Sequence, residues 1–181
     1  WVAAPDVVVT NAHVIAGEQD TSVQLGGHPP DLPAHAVAFD PTHDVAVLEV
    51  AGLGLPSLSL VPEPASGTSG AILGYPEDGP FDVESGRIGR TQTVLTDNAY
   101  GQGPVPRLLT PLRGRVRPGN SGGAMVDSSG RVLTTVFAAT VGGRPRGGYG
   151  VANSTVAAAV REAERRVRAG VSVGTGPCTA G

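Results

Sequence analysis

The chain has 181 residues, with 13 basic and 16 acidic side chains and a formal charge of −3. That balance excludes a general nucleic-acid binder, which carries a basic excess, while 40% apolar content is enough for a core at this length. Glycine at 27, proline at 16 and aromatics at only 4%, with valines in short groups, predict many short strands and turns and exclude a helical bundle.

No apolar run approaches the length of a bilayer span, and nothing resembles a signal peptide. The opening, Trp1-Val2-Ala3-Ala4-Pro5, begins inside an extended pattern without Met, as expected of an excised or incomplete domain. Lysine is absent and every basic residue is arginine, a compositional bias to which we attach no chemistry. Cys178 is the single cysteine; it reads either as an inert thiol or as half of a disulfide with a partner upstream of Trp1. The histidines lack ligand spacing and no Gly-Lys-Ser/Thr follows the glycines, so neither a metal site, a phosphate loop nor any cofactor is expected.

In chain order, Val7 to Thr10 is a β-branched run that predicts a buried strand, with His13 just where the run stops. Strands are also predicted over Thr21 to Leu25 and Ala34 to Phe39, separated by the turn-forming Gly26 to Pro30. Asp40 to Asp44 is a turn cluster feeding a strong strand, Val45 to Val50. Residues 51–68 are rich in Gly, Pro and Ser, and we place the linker between two halves at 56–68. A second strand series starts at Gly70, followed by a hairpin or bent strand over Val83 to Leu95, a loop over Thr96 to Pro104 and a strand over Arg107 to Leu112. After the Ser121 turn come strands over Gly123 to Asp127 and Arg131 to Ala139, a loop over Gly142 to Gly148 and a short strand over Tyr149 to Ala152. Asn153 or Ser154 then caps a helix over Thr155 to Ala169, whose Val156, Ala159, Val160, Ala163 and Val167 share one face and which Gly170 ends.

The chemistry centres on Pro118-Gly119-Asn120-Ser121-Gly122-Gly123, a serine on a glycine-rich turn that leads into an apolar run. A serine hydroxyl is a weak nucleophile until a base takes its proton, and an imidazole base needs a carboxylate to hold its tautomer. His13, Asp44 and Ser121 supply these groups in the order His, Asp, Ser, with Asp40 as the rival acid. The amides of Gly119 and Ser121 are candidates for an oxyanion site. His28, His35 and His43 read as surface residues.

Thr10-Asn11-Ala12-His13-Val14, His43-Asp44-Val45-Ala46-Val47-Leu48 and the serine turn resemble the three signature blocks of chymotrypsin-fold serine proteases of the HtrA type. Gly148 to Ala152 is similar to the last strand of that domain. More narrowly, the arginine-rich chain with its terminal cysteine resembles the membrane-anchored periplasmic acid-resistance proteases of mycobacteria and other actinobacteria. The resemblance implies an all-β fold of two six-stranded antiparallel barrels with a C-terminal helix, the first barrel lacking its N-terminal strand or strands. It divides the chain into a protease domain over 1–153 (barrels at 1–55 and 69–153), a helix at 154–170 and a tail at 171–181.

The implied activity is endopeptidase hydrolysis of protein substrates by a monomeric domain, outside the cytoplasm, with membrane attachment only through a segment absent from this chain. Cys178 would pair with a cysteine ahead of the catalytic histidine. Phe137, Ala138 and Ala139 would bind the substrate backbone and wall the specificity pocket. Arg115 would lie near the pocket base, favouring an acidic side chain or pointing to solvent, with small or apolar residues preferred before the cut. A protease-fold module that grips peptides without cutting them is the alternative.

Overall fold

Residues 1–139 and 147–178 are described by the computed structural model, in which nearly every apolar run becomes a strand. The first half contributes β1 (Val2–Ala4), β2 (Val7–Thr10), β3 (Thr21–Leu25), β4 (His28–Asp40) and β5 (Val45–Glu49), with one helical turn, α1 (Ala12–Ile15), after β2. These strands form a five-stranded antiparallel sheet in the order β1-β2-β5-β4-β3. The expected missing strand aside, the first half is a five-stranded sheet with no pairing between its end strands β1 and β3 among the described residues. The expected turn over Gly26 to Pro30 is shorter than predicted. Gly26 and Gly27 alone make it, both with positive φ, and β4 already begins at His28.

The second half contributes β6 (Ser69–Gly74), β7 (Asp82–Ile88), β8 (Gln92–Thr96), β9 (Val105–Gly114), β10 (Ala124–Val126), β11 (Val132–Ala139) and β12 (Gly147–Val151). Their order is β12-β11-β10-β6-β7-β9-β8, and β12 also pairs with β9. Six of them therefore close into an antiparallel barrel, and β8 continues the line of β7 along β9. Of the two readings of Val83 to Leu95, a hairpin or a bent strand, the second is the one formed. β7 and β8 do not pair with each other; both lie along the edge of β9 opposite β12, Ile88 opposite Leu112 and Gln92 opposite Leu109, as one interrupted, bent strand.

The core follows the alternation in β2, whereas β5, in the middle of its sheet, is buried on both faces. Val7 and Val9 of β2 and Val45 to Leu48 of β5 are buried, and Ile72, Ile88, Leu112, Met125 and Leu133 fill the second barrel. The helix α2 (Asn153–Ala169) returns to the first half and packs against β2, β4 and β5 through Val156 and Ala163. Gly170 ends it in the left-handed region, as expected, at φ 64°. The start differs from expectation: Ala152 is the N-cap and no side chain caps it. Asn153 is buried inside the first turn, and its Nδ2 donates to Val61 O and Val132 O, both at 2.8 Å. That amide fastens the helix to the connecting segment and to β11 at once.

Beyond the helix, the tail lies along the first half. Val173 N donates to Ala36 O at 2.8 Å, and Thr175 bridges Gly17, Glu18 and Tyr100. Cys178 is exposed, with its thiol free. Among the described residues, no helix is long and apolar enough to cross a membrane.

Asn153→Ala removes the donor shared by two buried carbonyls and is expected to lower the unfolding free energy by about 2 kcal/mol. Urea unfolding followed by tryptophan fluorescence measures it.

Candidate active site

The two halves meet where α1, the turn before β5 and the serine turn converge. His13 lies not at a strand end, as the valine run suggested, but on the single turn of α1 that follows β2. Asp44 ends the preceding turn with φ 58°, in a left-handed conformation that Asp tolerates better than most residues. Its carboxylate is 2% exposed and takes two donors from one residue: Oδ1 accepts His13 N at 2.9 Å, and Oδ2 accepts His13 Nδ1 at 2.8 Å. With Nδ1 donating, the other ring nitrogen, Nε2, is the acceptor. Asp40, the rival acid, is spent locally. Its Oδ1 accepts the amides of Thr42 and His43, and its Oδ2 meets His43 Nδ1 at 2.6 Å.

Ser121 sits on a turn whose hydrogen bonds leave two amides over. Asn120 N donates to Arg117 O, Gly123 N to Asn120 O and Gly122 N to Val136 O, while Asn120 Oδ1 accepts Arg117 N. Among the described residues, the amides of Gly119 and Ser121 donate to no acceptor. Gly119 adopts φ 86°, and a side chain there would collide with the Tyr75 carbonyl. Both residues line a cleft of about 460 Å³ whose other flank is apolar, with Val14, Ile15, Leu73 and Tyr75. Paired free amides on a glycine turn are suited to an anion or a developing oxyanion. The Ser121 hydroxyl donates to Phe137 O at 3.4 Å, and among the described residues no hydrogen bond joins it to His13.

Two residues that the sequence did not single out connect these parts. Asn11 is fully buried; its Nδ2 donates to Asp44 O at 2.8 Å and its Oδ1 accepts Gly122 N at 2.7 Å. One side chain thus staples the acid turn to the serine turn. Arg107, on β9, is buried between the Asp44 turn and the Phe137 ring. Burial pushes its guanidinium below the ordinary arginine range, and the charges of Asp44 and Asp40 oppose that shift. Only the Thr-Asn-Ala-His block hinted at Asn11, and nothing local marked Arg107.

Of the remaining sequence candidates, Arg115 is exposed and does not line the cleft. Phe137 stacks on Arg107, and the side chains of Ala138 and Ala139 lie outside what the structure describes. The loop predicted over Gly142 to Gly148 falls largely outside the described residues. His28 and His35 are exposed. Among the described residues, no cluster of His, Cys, Asp or Glu could hold a metal ion.

A closed six-stranded antiparallel barrel and a second antiparallel sheet, with a His–Asp pair tied through Asn11 to a serine turn, define a trypsin-like architecture. The chain belongs to the trypsin-like peptidase domain family, whose model matches residues 1–134. It is 39% identical over 143 residues to the serine protease Rv3671c of Mycobacterium tuberculosis, covering 78% of this chain and 36% of that protein. A probable DegP-like periplasmic serine endoprotease of Ectopseudomonas mendocina is 31% identical over 134 residues, covering 73% of this chain and 27% of that one. The chain therefore spans roughly a third of the length of these relatives. The crystal structure of the active form of the Rv3671c protease superposes with a TM-score of 0.89 at 35% identity, over 99% of this chain and 77% of that one.

Asn11→Asp preserves size but turns an acceptor toward the Asp44 carbonyl. It is expected to cost about 2 kcal/mol and lower the melting temperature by roughly 4–8 °C, measured by calorimetry.

Proposed function

We propose that this chain is the catalytic domain of a serine endopeptidase acting through Ser121, His13 and Asp44. The observation that carries the reading is the Asp44 carboxylate gripping both His13 N and His13 Nδ1, opposite a serine turn with two unengaged amides. His13 Nε2 takes the proton from Ser121 Oγ as the hydroxyl attacks the scissile carbonyl, and returns it to the leaving amine. Asp44 holds the ring in its acceptor tautomer and stabilises the imidazolium formed in the transition state. The oxyanion is received by the amides of Gly119 and Ser121, each donor contributing about 3 kcal/mol. Water then repeats the sequence on the acyl-enzyme.

The resting hydroxyl must leave Phe137 O for this, a rotation between staggered wells about the Cα–Cβ bond. Hydrogen bonds of catalytic groups commonly tighten only with substrate bound. Backbone pairing of β11 with the serine turn ends at Val136, and among the described residues the edge at Phe137 to Ala139 beyond it carries no further strand, which suits an added peptide strand. Protein or peptide substrates fit that edge. An HtrA-type relative of known structure, AlgW, was solved with a decapeptide, at 25% identity and a TM-score of 0.78.

The family resemblance supports an extracytoplasmic place of action, in envelope stress or acid resistance and with membrane attachment. The orientation of the Ser121 hydroxyl favours one second reading, a peptide-gripping domain whose triad rests until switched.

Ser121→Ala is expected to reduce casein or peptide cleavage at least about 10⁴-fold while the melting temperature stays within about 2 °C. A fluorophosphonate labels the wild-type protein at Ser121 and not the variant. Absence of labelling, with intact folding, would favour the gripping module.

A further inference from the structure

The fold holds a charge that the proposed chemistry does not use. Arg107 has its side chain 1% exposed, on β9 of the closed barrel. Its Nη2 donates to His43 O at 2.9 Å and stands 3.7 Å from Asp44 Oδ2, the oxygen that accepts His13 Nδ1. Its Nη1 donates to Asp97 O at 3.1 Å, and Nε has no partner among the described residues. The guanidinium lies over the Phe137 ring, 4.2 Å from its centroid. The carbonyl of the same Phe137 receives the Ser121 hydroxyl.

Burying a guanidinium with a donor left over is costly, and an apolar side chain of similar volume would fill the space without that cost. What the apolar side chain would lack is a flat, rigid group that meets a carbonyl at its edge and a ring on its face at once. The two things so met belong to different halves: the turn that carries Asp44, and the strand that carries Phe137.

We propose that Arg107 is a positioning residue for peptide hydrolysis, locking the Asp44 turn to the Phe137 strand so that the orienting carboxylate and the serine's flank share one fixed frame. This rests on the protease reading above. Arg107 touches neither substrate nor reacting atoms; it acts through Asp44 on His13 and through Phe137 on the flank of Ser121. Displacement of a catalytic group by about 1 Å costs on the order of 10²-fold in rate, so loss of this lock reads out in turnover.

The test uses Arg107→Met, close in size and uncharged, and Arg107→Lys, charged but without the fork. Two quantities are measured on each: kcat and KM per fluorophosphonate-titrated site, and the low-field proton resonance of His13 Nδ1, identified by its loss in His13→Ala. Arg107→Met is expected to lower kcat about 10- to 100-fold with KM within about twofold, and to broaden or lose the resonance. Arg107→Lys is expected to keep the melting transition and still lose at least about fivefold in kcat; it carries the test if the Met variant does not fold. A fall in stability alone, with kcat per titrated site and the resonance unchanged, overturns the proposal and leaves Arg107 structural. If the wild-type chain cleaves nothing, the protease reading fails, and the resonance decides by itself: lost in the variants, it supports the lock, and unchanged, it overturns it.

Discussion

One buried amide sets the register of the cleft. Asn11 gives its Nδ2 to the Asp44 carbonyl and receives the Gly122 amide on its Oδ1, so the acid and the serine turn are fixed to the same planar group. Because the amide is rigid and fully buried, sliding one turn past the other would strand a donor or an acceptor away from water. His13, two residues along the chain, is then carried on α1 to the place where Asp44 can take both its main-chain and its ring N–H. The two turns are thus joined from behind by the neutral hydrogen bonds of Asn11.

The front of the cleft is shaped by what the serine turn leaves undone. Among the described residues, its hydrogen bonds satisfy the amides of Asn120, Gly122 and Gly123 and stop short of Gly119 and Ser121. The positive φ of Gly119 and its close approach to the Tyr75 carbonyl leave no room for a side chain at that position. Arg117 holds the turn at its other end through an ion pair with Asp82 of β7, and with Glu84 at 3.6 Å. The serine turn is therefore fixed from within its own barrel as well as from Asn11.

How far this was legible in the sequence follows from the range of each interaction. The strands β2 and β5 and the helix α2 are written in local periodicity, and their residues pack where the patterns placed them. The three short blocks with His13, Asp44 and Ser121 carried the family likeness, because each is a contiguous string. What stayed hidden depends on partners far along the chain. Asn11 meets Gly122 across 111 positions, and Arg107 meets His43 across 64. β7 and β8, which read as a hairpin or a bent strand, are laid end to end along one edge of β9, a strand that follows both in sequence. Asn153 looked like a helix cap because its type favours caps, yet its amide is spent on two carbonyls of other elements.

The central claim is that the hydroxyl of Ser121 and the amides of Gly119 and Ser121 act on one carbonyl. A crystal structure of the protein treated with a peptidyl phosphonate tests this most directly, since phosphorus mimics the tetrahedral carbon. The account predicts a bond from phosphorus to Ser121 Oγ, the phosphoryl oxygen about 3 Å from both amides, and His13 Nε2 facing the leaving-group side. A phosphoryl oxygen turned to solvent while those amides bond elsewhere, or a phosphonate on another residue, would contradict it.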